Sequence, residues 1–309
     1  MAELTPFGKA LRKLRIEYDL RLFDLARVLD VSSAFISAIE TGRKTIPDGF
    51  VTRISNALSL REDETRELRS AADKTRKEVK VERLSETDRE LVAAFARRLD
   101  DIPDDMLEQL KAKLLKSMFG EQPFKRQRRG IIVPAMSYTK LMNLADKVRS
   151  LFVNDSRIDF PIIEVLEHKM ERIFPNYVFE VWENSEMGRD EGRVTIGGSE
   201  LILRLDVYEA ACRGDGRARF TASHELCHYL LHRNISFARA RDETDKIYCD
   251  SEWQADVFAG SLLMSSRHTD RFSGATHAAE MCLMTQSAAQ VMWSKYVKDG
   301  VIRPQASLF

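Results

Sequence analysis

Two histidines four positions apart, with a glutamate directly after the first, place the tightest constraint on how this chain folds. His224, Glu225 and His228 lie in a segment, Phe220 to His232, whose apolar residues recur at helical spacing. On a helix, residues four apart project from one face, so both imidazoles can bind a single metal ion. The segment is therefore predicted to be a helix that carries part of a metal site.

Glu225 gives this predicted site a chemical role. In a His-Glu-x-x-His arrangement, Zn2+ lowers the pKa of water toward about 7, and the glutamate accepts the proton during attack on a carbonyl. Mn2+ occupies similar nitrogen and oxygen sites, so the residues leave the metal open between Zn2+ and Mn2+. The pattern predicts a hydrolytic metal site with Glu225 as general base.

A catalytic zinc normally takes three protein ligands, so a third is expected. Glu252, 24 residues after His228 on a second predicted helix, is preferred. Asp256, one turn further on, is predicted to hydrogen-bond the outer nitrogen of a ligand histidine. His232 is the competing third ligand, although three ligands on one helix would be spread along its axis at about 5.4 Å per turn. His232 is also, with Tyr229, a candidate hydrogen-bond donor to the reacting carbonyl oxygen, against a structural role.

Cys249 lies three residues before Glu252. A thiolate is a good zinc ligand, so one hypothesis makes Cys249 an inhibitory fourth ligand that keeps the site latent. The alternative is an ordinary half-buried thiol.

A second pattern lies near the N-terminus. Leu22 to Asp30, a break at Val31 to Ser33, and Ala34 to Thr41 have the form of a helix, a tight turn and a second helix, with the small residue Ala26 where the helices meet. The alternative is a helical bundle that uses the same period for protein contacts. Residues 1–60 hold nine Lys/Arg and seven Asp/Glu, which supports DNA binding only modestly.

The composition bounds the class of protein. A chain of 309 residues is long enough for two cores, and its 48 basic and 48 acidic residues indicate neither a nucleic-acid nor a membrane partner. The four cysteines lie apart without a Cys-x-x-Cys pair, which favours reduced thiols. No signal-type segment or run of about 18 apolar residues occurs. A soluble cytoplasmic protein is expected.

Periodicity predicts an α+β protein in three parts. Residues 1–75 are predicted to be an all-α domain, 76–135 a helical connector, and 136–309 an α+β domain with a small sheet. The predicted strands are Val178–Trp182, Arg193–Ile196 and Leu201–Leu205. The amphipathic residues of the connector are predicted to form a dimer interface or to pack on their own domain; they are Leu91, Phe95, Leu99, Met106, Leu110, Leu114 and Met118.

Residues 220–300 resemble the ImmA/IrrE family of metallopeptidases. In that family His-Glu-x-x-His is followed by Glu-x-x-Ala-Asn/Asp-x-Phe-Ala-x-x-Leu-Leu-Met-Pro, and here the stretch runs from Glu252 to Met264 with Ser265 in place of the proline. The resemblance implies a zincin-like, thermolysin-type zinc site with the two histidines and Glu252 as ligands. It also implies a narrow substrate range, since members typically cut a partner repressor.

Residues 7–60 resemble the Cro/C1-type (XRE) family of phage repressors, chiefly through the run from Ser32 to Lys44. In that family the second helix enters the major groove of operator DNA. Carried over by position, Ser32, Ser33 and Ser37 would face bases or phosphates. Arg43 and Lys44 would contact the DNA backbone. A homodimer is expected, because such helices read paired half-sites.

The two resemblances together imply a transcription regulator whose metallopeptidase domain relieves repression by cutting a repressor in a stress, phage or defence response. The substrate is predicted to be the chain's own 83–120 region or a partner protein, with single-stranded DNA or another damage signal as a candidate inducer. Two alternatives stay open. One is a transcription factor that senses a metal or ligand without cleaving peptides, and the other is an antitoxin.

Overall fold

Five short helices build the N-terminal part of the chain, and side-chain caps fix the starts of the first and the third. In this computed structural model, which describes residues 4–75, 131–195, 199–233 and 246–302, Thr5 accepts a hydrogen bond from the Gly8 amide and Ser32 from the Phe35 amide. The helices are α1 (Pro6–Glu17), α2 (Leu22–Val28), α3 (Ser33–Glu40), α4 (Phe50–Leu58) and α5 (Glu62–Thr75).

The helix-turn-helix is formed by α2 and α3. Asp30 takes a left-handed conformation with φ of 50° at the turn between them, and Ala26 is buried where they meet. The apolar residues that repeat at helical spacing face inward, since Leu11, Leu25 and Ile36 are fully buried. This part of the fold follows the sequence pattern directly.

The second half combines helices with a small sheet. Its elements are α6 (Tyr138–Phe152), α7 (Ile162–Glu164), a π-helical turn (Val165–Lys169), α8 (Met170–Ile173), β1 (Val178–Trp182), α9 (Asn184–Met187), β2 (Gly192–Val194), β3 (Glu200–Arg204), α10 (Leu205–Cys212), α11 (Gly216–Cys227), a π-helical segment (His228–His232), α12 (Ser251–Leu263), α13 (Ala275–Cys282) and α14 (Gln286–Lys298), with short 3-10 turns at Ile247–Cys249 and Ser266–Arg271. The α+β prediction is confirmed.

The sheet has the strand order β1-β3-β2. β1 and β3 are parallel, with Val178 opposite Glu200, whereas β2 runs antiparallel to β3 with Gly192 opposite Leu203. The predicted strand Val178–Trp182 is found with the same bounds. The third predicted strand ends one residue early because Leu205 already begins α10, a helix that the apolar alternation did not reveal.

The helix-turn-helix packs directly on the second half of the chain. Residues 1–76 and 129–309 form one compact unit, and buried apolar residues from both parts belong to one cluster. The boundary predicted at residue 75 therefore does not separate two independent cores. Residues 76–130, which hold most of the predicted connector, its amphipathic residues and the predicted 83–120 cleavage region, lie outside the described residues.

A buried carboxylate stabilises the packing of the N-terminal helices on the second half of the chain. Glu167, 1% exposed, accepts hydrogen bonds from Arg15 Nη1 at 2.9 Å, the Leu22 amide at 3.0 Å and the Tyr208 hydroxyl at 2.6 Å. Arg15 also forms an ion pair with Glu40 at 2.9 Å. Because each charge has an opposite partner and further hydrogen bonds, its removal from water is compensated. Glu167 thus ties α1 and α2 to α10.

Among the described residues, no helix is both long and apolar enough to span a membrane.

Replacing Glu167 with alanine should lower the free energy of unfolding by about 3–5 kcal/mol, because Arg15 would stay buried with one of its two carboxylate partners removed. Urea denaturation followed by circular dichroism measures the change. The control is Glu67→Ala, whose side chain is 59% exposed and pairs at 3.1 Å with Lys13, itself 55% exposed; this variant should lose less than about 1 kcal/mol. Equal losses in the two variants would contradict the role given to Glu167.

Candidate functional site

Two helices bring the predicted metal ligands together. His224 and Glu225 lie in the last turn of α11, and His228 follows where the helix widens into its π-helical segment. Glu252 lies in the first turn of α12, whose start is fixed by Asp250: the Asp250 carboxylate accepts hydrogen bonds from the amides of Glu252, at 2.8 Å, and Trp253. Local capping therefore sets where the third carboxylate is presented.

The nitrogen and oxygen atoms of the three side chains converge on one point. His224 Nε2 lies 2.9 Å from His228 Nε2 and 3.3 Å from Glu252 Oε2, and His228 Nε2 lies 3.4 Å from Glu252 Oε1. A tetrahedral ion with bonds of about 2.0–2.1 Å holds its donor atoms roughly 3.3 Å apart. Among the described residues, His224, His228 and Glu252 form the one group of three or more such donors that lie close enough to hold an ion. The donor set fits Zn2+ or a similar divalent ion.

The outer nitrogen of the first histidine is bonded to Asp256. His224 Nδ1 lies 2.9 Å from Asp256 Oδ1, and because a carboxylate only accepts, the Nδ1 atom carries the hydrogen. When the ring is neutral, its lone pair is on Nε2, which points to Glu252. The structure thus brings Asp256 to the position expected of a residue that orients a ligand.

A longer chain of hydrogen bonds runs behind the second histidine. Gln254 Nε2 donates to the carbonyls of Pro134, at 2.9 Å, and Tyr248, at 2.8 Å, so the amide oxygen of Gln254 is left to accept from His232 Nε2 at 3.1 Å. His232 Nδ1 then accepts from His228 Nδ1 at 3.0 Å. The chain leaves the lone pair of His228 on Nε2, facing the other ligands.

These hydrogen bonds give His232 the structural role that was weighed against the roles of third ligand and hydrogen-bond donor. Its Nδ1 atom accepts a hydrogen bond from the outer nitrogen of His228. His232 therefore contacts a candidate ligand and does not itself join the three converging side chains. Tyr229, the other candidate donor, is buried and packs edge-to-face on Phe174 and Tyr177. Gln254 was missed by sequence reasoning, because a buried glutamine has no characteristic spacing.

The segment that leads out of residues 76–130 is held beside the site. Ile132 pairs antiparallel with Asp250, and the Val133 amide donates to the Cys249 carbonyl at 2.8 Å. The carbonyl of Pro134, in the same segment, accepts from Gln254. Residues 131–136, here termed the strap, are therefore connected by hydrogen bonds to the start of α12 and through Gln254 to His232.

Cys249 is half-buried in the 3-10 turn before α12. The group of converging donor atoms within the described part of the chain consists of His224, His228 and Glu252, without the Cys249 thiol. Its role as an inhibitory ligand stays a prediction.

The charges of the cluster favour a cation. Burial lowers the pKa of His224, but hydrogen bonds to Asp256 and Glu252 outweigh it and raise that pKa to about 10. The hydrogen bond from His224 and the charges of the nearby histidines lower the pKa of Glu252 to about 2. Burial and the charge of His224 lower the pKa of His228 to about 3. The carboxylates of Glu252 and Asp256 thus stabilise a positive charge at this point, carried either by the proton of His224 or by an ion that replaces that proton.

The candidate base lies against an edge of the sheet. A Cβ atom on Gly192, in β2, would lie 2.5 Å from Glu225 Cγ, so only glycine allows this close approach of backbone and side chain. Sequence reasoning did not single out Gly192, although a glycine within a strand often marks such an approach. Gly192 therefore helps to position Glu225.

The residues predicted to contact DNA lie mostly against the second half of the chain. Ser33 and Ser37 are 0% and 1% exposed. Ser37 bonds to the backbone of β1, Ser32 to Glu183, and Arg43 to Glu180. Lys44 is exposed, with its ammonium group 5.6 Å from the Phe35 ring centroid. The DNA contacts stay predictions.

Comparison with known families supports both predicted modules. Residues 6–68 match the model of a helix-turn-helix domain, and residues 200–273 match that of an IrrE N-terminal-like domain, a family of metallopeptidases. The predicted fusion of an XRE-type helix-turn-helix with an ImmA/IrrE-type domain is confirmed. Neither the curated proteins nor the solved structures contain a match.

Removing the partners of the outer nitrogens should weaken zinc binding by about 10–100-fold, because the imidazoles lose their fixed orientation. Asp256→Ala is the clean test, since its side chain is 61% exposed; Gln254→Leu tests the second chain. Zinc affinity is measured by competition with a chromophoric chelator. The control, Asp270→Ala, removes an exposed carboxylate outside the cluster and should bind zinc like the wild type. Unchanged affinity in both test variants would show that these bonds do not support the site.

Proposed function

We propose that this protein is a transcription regulator in which a zinc-dependent peptidase domain relieves repression by cutting a repressor. The observation that carries the proposal is that the side chains of His224, His228 and Glu252 converge on one point. The outer nitrogen of each histidine is bonded to another residue, which leaves the Nε2 atoms to bind a cation. The matches to a helix-turn-helix domain and an IrrE N-terminal-like domain support the pairing of DNA binding with peptide cleavage.

The three ligands would hold the ion, which supplies Lewis acidity toward a peptide carbonyl and lowers the pKa of water. Glu225, half-buried at the end of α11, is the general base in this proposal. Its carboxylate accepts the proton of the attacking water and delivers it to the nitrogen of the departing amine. Gly192 allows Glu225 to lie close to β2 while it does so.

The sheet offers a means of holding a peptide. β2 pairs with β3 on one side, and no described strand pairs with its other side. An extended peptide can add to such an edge through main-chain hydrogen bonds, and the edge residue Gly192 adjoins the general base. We infer that the scissile segment binds in extended form along β2, which favours a repressor segment that is unfolded or exposed as a loop.

The substrate is proposed to be the chain's own 83–120 region, cut in cis or by a second copy, or a separate repressor. The strap supports the first choice, because it directly follows residue 130 in the sequence and is hydrogen-bonded to the start of α12, next to Glu252. The proposal includes a homodimer on double-stranded operator DNA, a stress, phage or defence response, and a DNA-derived inducer such as single-stranded DNA.

A second candidate function is favoured by one observation. Gln254 links the strap to His232 and so to a metal ligand, which gives metal binding a physical connection to the segment between the two modules. In this version the domain senses a metal, and repression responds without peptide cleavage. A chelator would then change DNA binding equally in the wild type and in Glu225→Gln.

Glu225→Gln should reduce peptide cleavage by about 10²–10⁴-fold while zinc content stays at the wild-type level, because the amide cannot accept the proton. The assay incubates zinc-loaded protein with duplex and single-stranded DNA and follows fragments by mass spectrometry. A tagged Glu225→Gln copy mixed with untagged wild type serves as the substrate for cleavage in trans. If wild type and variant both stay intact in every mixture, self-cleavage is excluded.

Gly192→Ala should lower the rate of cleavage by about 100-fold, since the added Cβ displaces Glu225 and small misplacements of reacting groups are costly. Zinc content should not change, because Gly192 supplies no ligand atom. The matched control is Gly274→Ala, where a Cβ would meet no atom within 4 Å and the backbone is extended. Rates are compared at saturating substrate. A wild-type rate in Gly192→Ala would remove Gly192 from the site.

A further inference from the structure

An acidic surface of the second half holds the helix that would read DNA. The surface consists of Glu180 and Trp182 in β1 and of Glu183 and Glu186 at the start of α9, and it is termed the β1–α9 face. Helix α3 lies along it, and the residues following α3 continue the contact. The residues that contact this face, Ser32, Ser37 and Arg43, are among those predicted to contact DNA.

Arg43 makes the most extensive contact with the β1–α9 face. Its Nε atom lies 2.6 Å from Glu180 Oε2 and its Nη1 atom 3.4 Å from Glu186 Oε1, while Nη2 donates to the Val181 carbonyl at 3.3 Å. The guanidinium lies over the Trp182 ring, 4.5 Å from the centroid. Anionic oxygens around a planar guanidinium reproduce the way in which arginine binds phosphate.

Ser32 continues the same pattern, whereas Ser37 accepts a hydrogen bond from the backbone of β1. The Ser32 hydroxyl donates to Glu183 Oε1 at 2.8 Å, and the Val181 amide donates to the Ser37 hydroxyl at 2.8 Å. The hydroxyls of serine are ordinary donors to phosphate oxygens in protein–DNA interfaces. A glutamate carboxylate therefore occupies the position that a phosphate would take opposite Ser32.

Helix α3 is also held in place by a network of buried ion pairs. Glu40, in the last turn of α3, pairs with Arg15, and Arg15 pairs with Glu167 in the second half. Helix α3 is thus fixed between the β1–α9 face and a buried ion-pair network. For a helix to enter the major groove, which is about 12 Å wide, its reading face must be clear of other protein elements.

We propose that the β1–α9 face is a mimic of the DNA backbone and competes with duplex DNA for α3 and Arg43. The inference rests on the DNA-binding half of the proposed function. In the arrangement described here the recognition helix is covered, and DNA binds after α3 leaves β1. The apparent affinity for DNA is then lowered by the fraction of molecules in which α3 is released.

The first test measures binding of the full-length protein to a fluorescent 30-bp duplex of mixed sequence at low salt. Glu183→Gln with Glu186→Gln removes two charges, keeps hydrogen-bonding groups at both positions and leaves the buried Glu180 in place. A second variant adds Glu180→Gln. Both should bind the duplex more tightly, by about tenfold or more in the triple variant, because release of α3 becomes easier. The matched control is Glu280→Gln with Asp270→Asn, at two exposed carboxylates outside the β1–α9 face, because the same loss of two charges there should change affinity less than about twofold.

The second test follows the amide of Val181 by hydrogen exchange. This amide donates to Ser37 across the contact, so its protection reports whether α3 is in place. Adding the duplex to wild-type protein should increase exchange in the 178–183 peptide. Arg43→Ala in the charge-removed background should weaken duplex binding again, since the same guanidinium serves both partners.

The outcomes distinguish a failure of the proposed competition from a failure of the proposed DNA binding. If the glutamine variants bind duplex like the wild type, or if duplex binds while Val181 stays protected, the competition is refuted and DNA binding itself stands. If neither wild type nor any variant binds duplex, the DNA-binding half of the proposed function fails and the competition with it. Peptide cleavage is measured separately and is not affected by either result.

Discussion

The buried carboxylate of Glu167 is the interaction on which the arrangement of this molecule depends. It accepts hydrogen bonds from Arg15 and the Leu22 amide on one side and from Tyr208 on the other, so one ionised group joins the helix-turn-helix to the sheet-bearing half. Burying an ionised group costs free energy unless its oxygen or nitrogen atoms all have hydrogen-bond partners. Such a contact therefore forms only when the partners are accurately placed. The covering of α3 by β1 follows from this fixed orientation.

The candidate metal centre shows the same principle at smaller scale. Each histidine of the cluster is oriented through its outer nitrogen, His224 by Asp256 and His228 by His232 and Gln254. The second chain ends on carbonyls of the strap and of Tyr248, so the geometry of the site depends on how the segment after residue 130 is held. Metal site, strap and helix-turn-helix therefore belong to one packed unit.

Much of the candidate site was predictable because it rests on local periodicity. A helix is enough to place His224 and His228, four residues apart, on one face. Glu252 is the second residue of α12, so the capped start of that helix fixes its position. Gln254 and Gly192 were not predictable in the same way. Their roles depend on neighbours distant in sequence, Pro134 for the first and Glu225 for the second. His232 was noticed, but its bond to the outer nitrogen of His228 appears only in the folded chain.

The sequence alone determined the helix-turn-helix, the α+β class, the strand Val178–Trp182 and the candidate ligands, because hydrophobic period, caps and residue spacing are local properties. Only the tertiary structure decided what the recognition helix contacts. Ser32 and Arg43 look the same in sequence whether they face a phosphate or a glutamate, since both offer anionic oxygens. Glu180 and Glu183 lie more than a hundred residues away, and the fold brings them to α3.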